Sequence, residues 1–185
     1  MSSAWFAWTK SGATEHGIGT LPQSADVANI IFVKIDWKRS RHNSASTTKK
    51  NLKLLTNTTT SIVTNMQPAV ICCCEVGTAM EPMTREQMFA IAHEMRQAWY
   101  GAATERPSIS YLFEENAPYL TIWDNNRCSC THGRILKNVY NVPRQSRTAQ
   151  AFLCTMPGDT DRQGIDVVNV HAPSGTWKLT DLQRY

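Results

Sequence analysis

Apolar residues along the chain fall into blocks, and the spacing within each block assigns it an element. Asn29 to Ile35 is a short, mostly apolar run, which predicts a buried strand. From about Lys49 to Met66 the apolar positions Leu52, Leu55, Ile62, Val63 and Met66 recur as on one face of a helix. Thr58 to Thr60 weaken that helix locally, because β-branched side chains lose rotamer freedom in it. Pro68 ends it. Ala69 to Cys74 is then continuously apolar and runs into a charged residue, Glu75, as a central strand does when its C-terminal end opens into a site. Thr84 and Gln87 have the spacing of a capping box, and Met88, Phe89, Ile91, Ala92, Met95 and Trp99 supply the apolar face of a second helix.

After Gly101 the character changes. Ser108 to Phe113, Pro118 to Trp123, Ile135 to Val139, Thr148 to Thr155 and Ile165 to His171 read as successive strands between Asn-, Gly- and Pro-containing turns. The order strand, helix, strand, helix, then mostly strands predicts an α/β layered fold with a mixed sheet. Residues 1–28 have no clear periodicity and are expected to be a loose leader, with one domain over 29–185.

The chain has 185 residues, 42% hydrophobic and 18% charged, which fits one globular domain with a real core. It contains no run of about 18 apolar residues and no basic leader followed by an apolar block, so neither a membrane span nor a signal peptide is expected. Three of the six cysteines, Cys72, Cys73 and Cys74, are consecutive in an apolar stretch, which suits buried reduced thiols and an intracellular location. The net charge is only +4, but the cations cluster. Lys34, Lys38, Arg39, Arg41, Lys49, Lys50 and Lys53 face a single acid, Asp36, within one stretch. Such a cluster can attract a phosphate backbone; from charge alone a solvated loop and helix face is the simpler account.

Two strands end in an ionisable residue: Val70 to Glu75, and Ile165 to His171. Strand tips of open α/β sheets are where ligands bind. A carboxylate there is an oxygen ligand for Mg²⁺, and an imidazole there can hold a phosphate or exchange a proton. Ordinary polar strand ends would look the same. Cys128-x-Cys130-x-His132 has zinc-ligand atoms, but not the usual C-x₂₋₄-C spacing, and strand or loop thiols are the simpler account.

These segments, in this order, resemble the endonuclease/exonuclease/phosphatase superfamily. The run QPAVICCCEVG is similar to the family's strand ending in a metal-binding glutamate, at Glu75. The run VVNVHAPSG is similar to its strand ending in His with a Pro-containing loop, at His171. The resemblance implies a partial four-layer α/β sandwich and Mg²⁺ (or Mn²⁺) as cofactor. It implies phosphodiester hydrolysis with Glu75 on the metal and His171 at the phosphate, and nucleic acid as partner. Asp36 would aid catalysis. Lys34, Lys38, Arg39, Arg41 and Arg184 would contact phosphates.

The departures are specific. Where the family's first strand ends in Asn, this chain has Lys34, which cannot ligate a metal while protonated. The family's Gly-Asp-x-Asn and Ser-Asp-His motifs are not found after His171; Gly158-Asp159-Thr160-Asp161 precedes that strand and reads as a polar turn. The resemblance is therefore to an N-terminal half. Catalytic groups of this kind act as a unit, so the isolated chain is expected to be inactive. A missing C-terminal half, or self-association, is expected to cover the open sheet face. The alternatives are a non-catalytic nucleic-acid-binding module and a truncated remnant of such an enzyme.

Overall fold

A computed structural model describes residues 6–9, 12–15, 29–34, 45–74, 76, 83–115, 117–137, 141–142, 145–146, 148–157 and 164–170. Two short strands, β1 (Phe6–Thr9) and β2 (Gly12–Glu15), pair antiparallel within the stretch expected to be a leader. The first expected strand is β3 (Ile30–Lys34), followed by helix α1 (Ala45–Met66) and β4 (Val70–Cys74), parallel to β3. Helix α2 (Arg85–Ala102) leads to β5 (Ile109–Phe113) and β6 (Tyr119–Asp124). Then come β7 (Ser129–Leu136), β8 (Asn141–Val142), β9 (Gln145–Ser146), β10 (Ala149–Thr155) and β11 (Ile165–Val170).

Helix α1 starts before Lys49 and runs through the threonines without interruption. Magnitudes explain this. A threonine in a helix costs roughly 0.5 kcal/mol against alanine, whereas burying each of Leu55, Ile62 and Val63 gains about 1.5–3 kcal/mol. Thr59 itself lies on the buried face. The helix ends at Gln67, whose φ of 43° is left-handed. The Asn29 side-chain amide donates to the Met66 carbonyl at 3.1 Å and an Arg127 guanidinium N–H donates to that of Gln67, so orphaned helix-end carbonyls find partners. At α2 both capping-box bonds form between Thr84 and Gln87.

The strands make two main sheets. One has the order β3-β4-β6-β5 and is mixed, with β3 and β4 parallel and the rest antiparallel. The other, β11-β10-β7, is antiparallel. Side chains of the mixed sheet alternate between two cores, as a pleated strand requires. Ile31, Val33, Ile71, Cys73, Leu120 and Ile122 pack under α1 and α2. Ile30, Val70, Cys72 and Trp123 pack with Phe152, Cys154 and Val167 of the second sheet. The described residues thus form three layers: helices, mixed sheet, antiparallel sheet. This is the α/β class with a mixed sheet read from the sequence.

The strand expected at Ile135 to Val139 is displaced: β7 covers Ser129–Leu136. Its alternation is obscured by a bulge. Two residues, His132 and Gly133, lie opposite a single position of β10, between the pairs Thr131–Leu153 and Arg134–Ala151. His132 takes a left-handed φ of 55° there. Phe89 also departs from expectation. It is 41% exposed rather than buried with α2, and sits edge-on to Tyr111 and Phe113 of β5. Among the described residues no helix is long and apolar enough to cross a membrane.

Candidate functional site

The parallel pair β3–β4 and the strand β11 converge at one end of the sandwich. The register aligns Lys34 with Cys74, so the C-terminal ends of β3 and β4 lie side by side. β11 belongs to the other sheet, and it is tied to β4 by a buried hydrogen bond. The Asn169 side-chain amide donates to the Cys73 carbonyl at 2.9 Å. Glu75 is the second residue after Cys73, and His171 the second after Asn169.

The strand ends next to those positions are well fixed. Cys74 pairs with Tyr119 across the β4–β6 ladder. Val76, fully buried under the helices, donates its N–H to the Pro118 carbonyl at 3.1 Å. Cys74, Ala117 and Tyr119 form a small core of their own with Ile135 packed against it, and the Tyr119 hydroxyl donates to the Thr148 carbonyl. Glu75, His171, Asp36, Lys38, Arg39, Arg41 and Arg184 lie outside the described residues, as does the side chain of Lys34. The turn Gly158 to Asp161 lies outside them too.

A polar seam runs behind this end, between the sheets. Gln150 and Asn169 are register partners on β10 and β11, and both point inward and are buried. The Thr121 hydroxyl donates to Gln150 Oε1 at 2.6 Å, and Gln150 Nε2 donates to the Leu112 carbonyl at 3.2 Å. Buried amides without partners would each cost a few kcal/mol, so these bonds fix how the sheets slide on each other. The sequence reading missed both residues. Their signal was a polar residue at an inward position of an otherwise apolar strand: Asn169 in VVNVH, and Gln150 in AQAFL.

The far end of the same inter-sheet core holds sulfur. Cys128, Cys130 and Cys154 are buried, with their Sγ atoms all within 4.8 Å of one another. His132, the third member of the Cys-x-Cys-x-His spacing, is exposed because the bulge turns it out of the face that Cys130 occupies. Hydrogen bonds from Cys128 and then Cys130 favour the thiolate on Cys154 and hold its pKa down, while hydrogen bonds with Cys128 and then Cys154, followed by burial, push the Cys130 thiol up. Burial pushes the Cys72 and Cys73 thiols up.

A further concavity of about 390 Å³ lies beside edge strand β5, lined by Arg85, Phe89, Tyr111, Phe113, Glu114 and Glu115 among others. Arg85 sits over the Phe89 ring at 5.7 Å from its centroid. It is a surface groove of mixed charge with no convergent ligand set.

No protein-family model matches the chain, and no curated protein matches it in sequence. In structure it is similar to TDP2 from Caenorhabditis elegans, in two crystal structures of which one is the selenomethionine protein. Both are 15% identical to it, with TM-scores of 0.46. Each similarity covers 79% of this chain and 35% or 36% of the TDP2 chain, so this chain spans about a third of that length. A functionally unknown conserved protein from Enterococcus faecalis V583 is 12% identical with a TM-score of 0.43, over 77% of this chain and 52% of that one.

Proposed function

We propose that this chain carries the metal- and phosphate-binding part of a Mg²⁺-dependent phosphodiester hydrolase acting on nucleic acid. The observation that carries the reading is the Asn169–Cys73 hydrogen bond. It joins the two strands that run into Glu75 and His171, the two residues the sequence motifs single out. In this reading Glu75 is an oxygen ligand to Mg²⁺, with Mn²⁺ able to replace it. The ion supplies Lewis-acid polarisation of a phosphoryl oxygen when bound. His171 contacts the same phosphate and holds or moves a proton there. Asp36, two residues beyond the end of β3 in the sequence, assists the reaction. Lys34, Lys38, Arg39, Arg41 and Arg184 contact the nucleic-acid backbone.

The test is cleavage of DNA and RNA oligonucleotides with Mg²⁺ by a protein containing this chain, compared with its Glu75→Ala variant. Loss of at least about 100-fold in rate is expected for removal of a metal ligand from a unit of this kind. Equal cleavage by the variant contradicts the assignment of Glu75.

A second reading has its own observation. Lys34, a cation, stands in the sequence where the resembled family offers a neutral amide, and its backbone is aligned with that of Cys74. That substitution favours a module that binds phosphate backbones without hydrolysing them. Its mark is salt-sensitive nucleic-acid binding without turnover; no binding at low salt excludes it.

A further inference from the structure

We infer that Cys128, Cys130 and Cys154 form a binding site for a thiophilic d¹⁰ cation of the zinc class, separate from the proposed hydrolytic site. The three sulfurs come from three places in the chain. Cys128 follows the turn after β6, Cys130 lies in β7, and Cys154 lies in β10 directly opposite Cys130 in the register. All three converge within 4.8 Å of one another. In a zinc–thiolate site the metal–sulfur distance of about 2.3 Å sets sulfurs about 3.8–4.0 Å apart. Closing from the present spacing needs a contraction of under about 1 Å per pair, within the reach of χ1 rotations.

Soft thiolates select Zn²⁺ or Cu⁺ over hard cations, so this site and an oxygen-lined Mg²⁺ site would not compete for one ion. The fourth position also has a candidate. Cys72 points from β4 into the same inter-sheet core as the three thiols. It lies outside the group of three close sulfurs and is hydrogen-bonded to Thr121, so it would have to leave that partner to close the shell; without it the fourth position stays open. Binding releases the thiol protons: Zn²⁺ and the three thiols give a trithiolate zinc centre and three H⁺.

The placement states what such an ion would do. Cys154 pairs with Ile165 at the start of β11, and the seam bond of Asn169 lies four residues further on, about 13 Å along the strand. The Cys128 thiol donates to the Ala69 carbonyl at 3.7 Å, beside the start of β4. A metal there would clamp the two sheets at the end opposite the strand tips that precede Glu75 and His171.

The experiment is titration of the full chain, purified reduced and treated with chelator, with Co²⁺ as optical probe and Zn²⁺ as competitor. One Co²⁺ per chain is expected, with an intense near-ultraviolet thiolate-to-cobalt band that Zn²⁺ abolishes. Cys154→Ser should lose the band, and Cys73→Ser, whose side chain faces the helices, should keep it. A Cys72→Ser variant should retain the band with its visible transitions shifted; unshifted transitions would remove Cys72 from the shell. Should Cys154→Ser not fold, thiol counting on the wild-type chain decides, in urea just below its unfolding midpoint, where the buried thiols become reactive without metal. Protection of Cys128, Cys130 and Cys154 by one equivalent of Zn²⁺ supports the site. No bound Co²⁺, a band that survives Cys154→Ser, or unchanged thiol reactivity with Zn²⁺ overturns it.

Discussion

Asn169 spans the gap between the two sheets and donates its amide to the carbonyl of Cys73 at 2.9 Å, with only 1% of the asparagine exposed. The bond sets the lengthwise position of β11 against β4. Asn169→Ala is expected to lose about 1–3 kcal/mol, from the missing bond and the space left behind. Asn169→Asp should lose more, because a buried carboxylate would face a carbonyl oxygen. Urea unfolding measures both. An alanine variant as stable as wild type would show that the bond holds nothing in place.

Gly133 and Leu112 meet across the same sheets. A Cβ on Gly133 would lie 2.2 Å from Leu112 Cδ2 and 2.8 Å from Cδ1. Gly133→Ala should therefore push the half-buried Leu112 side chain out of its rotamer, at a cost of about 1 kcal/mol. Adding Leu112→Ala should make the glycine substitution nearly neutral, and a double-mutant cycle in denaturant reads the coupling. Additive losses would rule the contact out as the cause.

At the start of α2, Gln87 N–H donates to Thr84 Oγ1 at 3.3 Å and Thr84 N–H donates to Gln87 Oε1 at 2.9 Å. Thr84→Ala is expected to cost about 1 kcal/mol. Once Thr84 is gone, Gln87→Ala should add less than it costs alone. Thermal melts of the four proteins check this.

In the folded, chelator-treated protein, burial raises the pKa of Cys72 and Cys73. The folded state then keeps protons that the unfolded chain releases near pH 8.5. Their contribution to stability is fully present below that pH and is lost as pH rises above it. The urea midpoint should fall from pH 8 to pH 10.5, and Cys73→Ala should flatten the fall. A midpoint that stays level over this range would contradict the buried, neutral state of these thiols.

The parts of this fold that read directly from sequence are those where periodicity and local chemistry agree. The VICCC strand, the capping box at Thr84 and Gln87 and the Ile165 strand fall within a residue or so of expectation. β7 was mislaid because the bulge at His132 and Gly133 breaks its alternation, and because half of the strand is polar and exposed. The seam residues Gln150 and Asn169 could not be paired from sequence, since their partners Thr121 and Cys73 lie 29 and 96 residues away. The same distance effect hid Cys154 from Cys128 and Cys130. Local spacing suggested His132 in its place, and long-range register supplied the third sulfur instead.

Mn²⁺ binding at Glu75 is read directly from the electron paramagnetic resonance of free Mn²⁺ as the chain is added. One bound Mn²⁺ is expected, displaced by Mg²⁺, lost in Glu75→Gln and retained in Cys154→Ser, because the hard ion takes the carboxylate rather than the thiols. Binding that is the same in wild type and Glu75→Gln would contradict it.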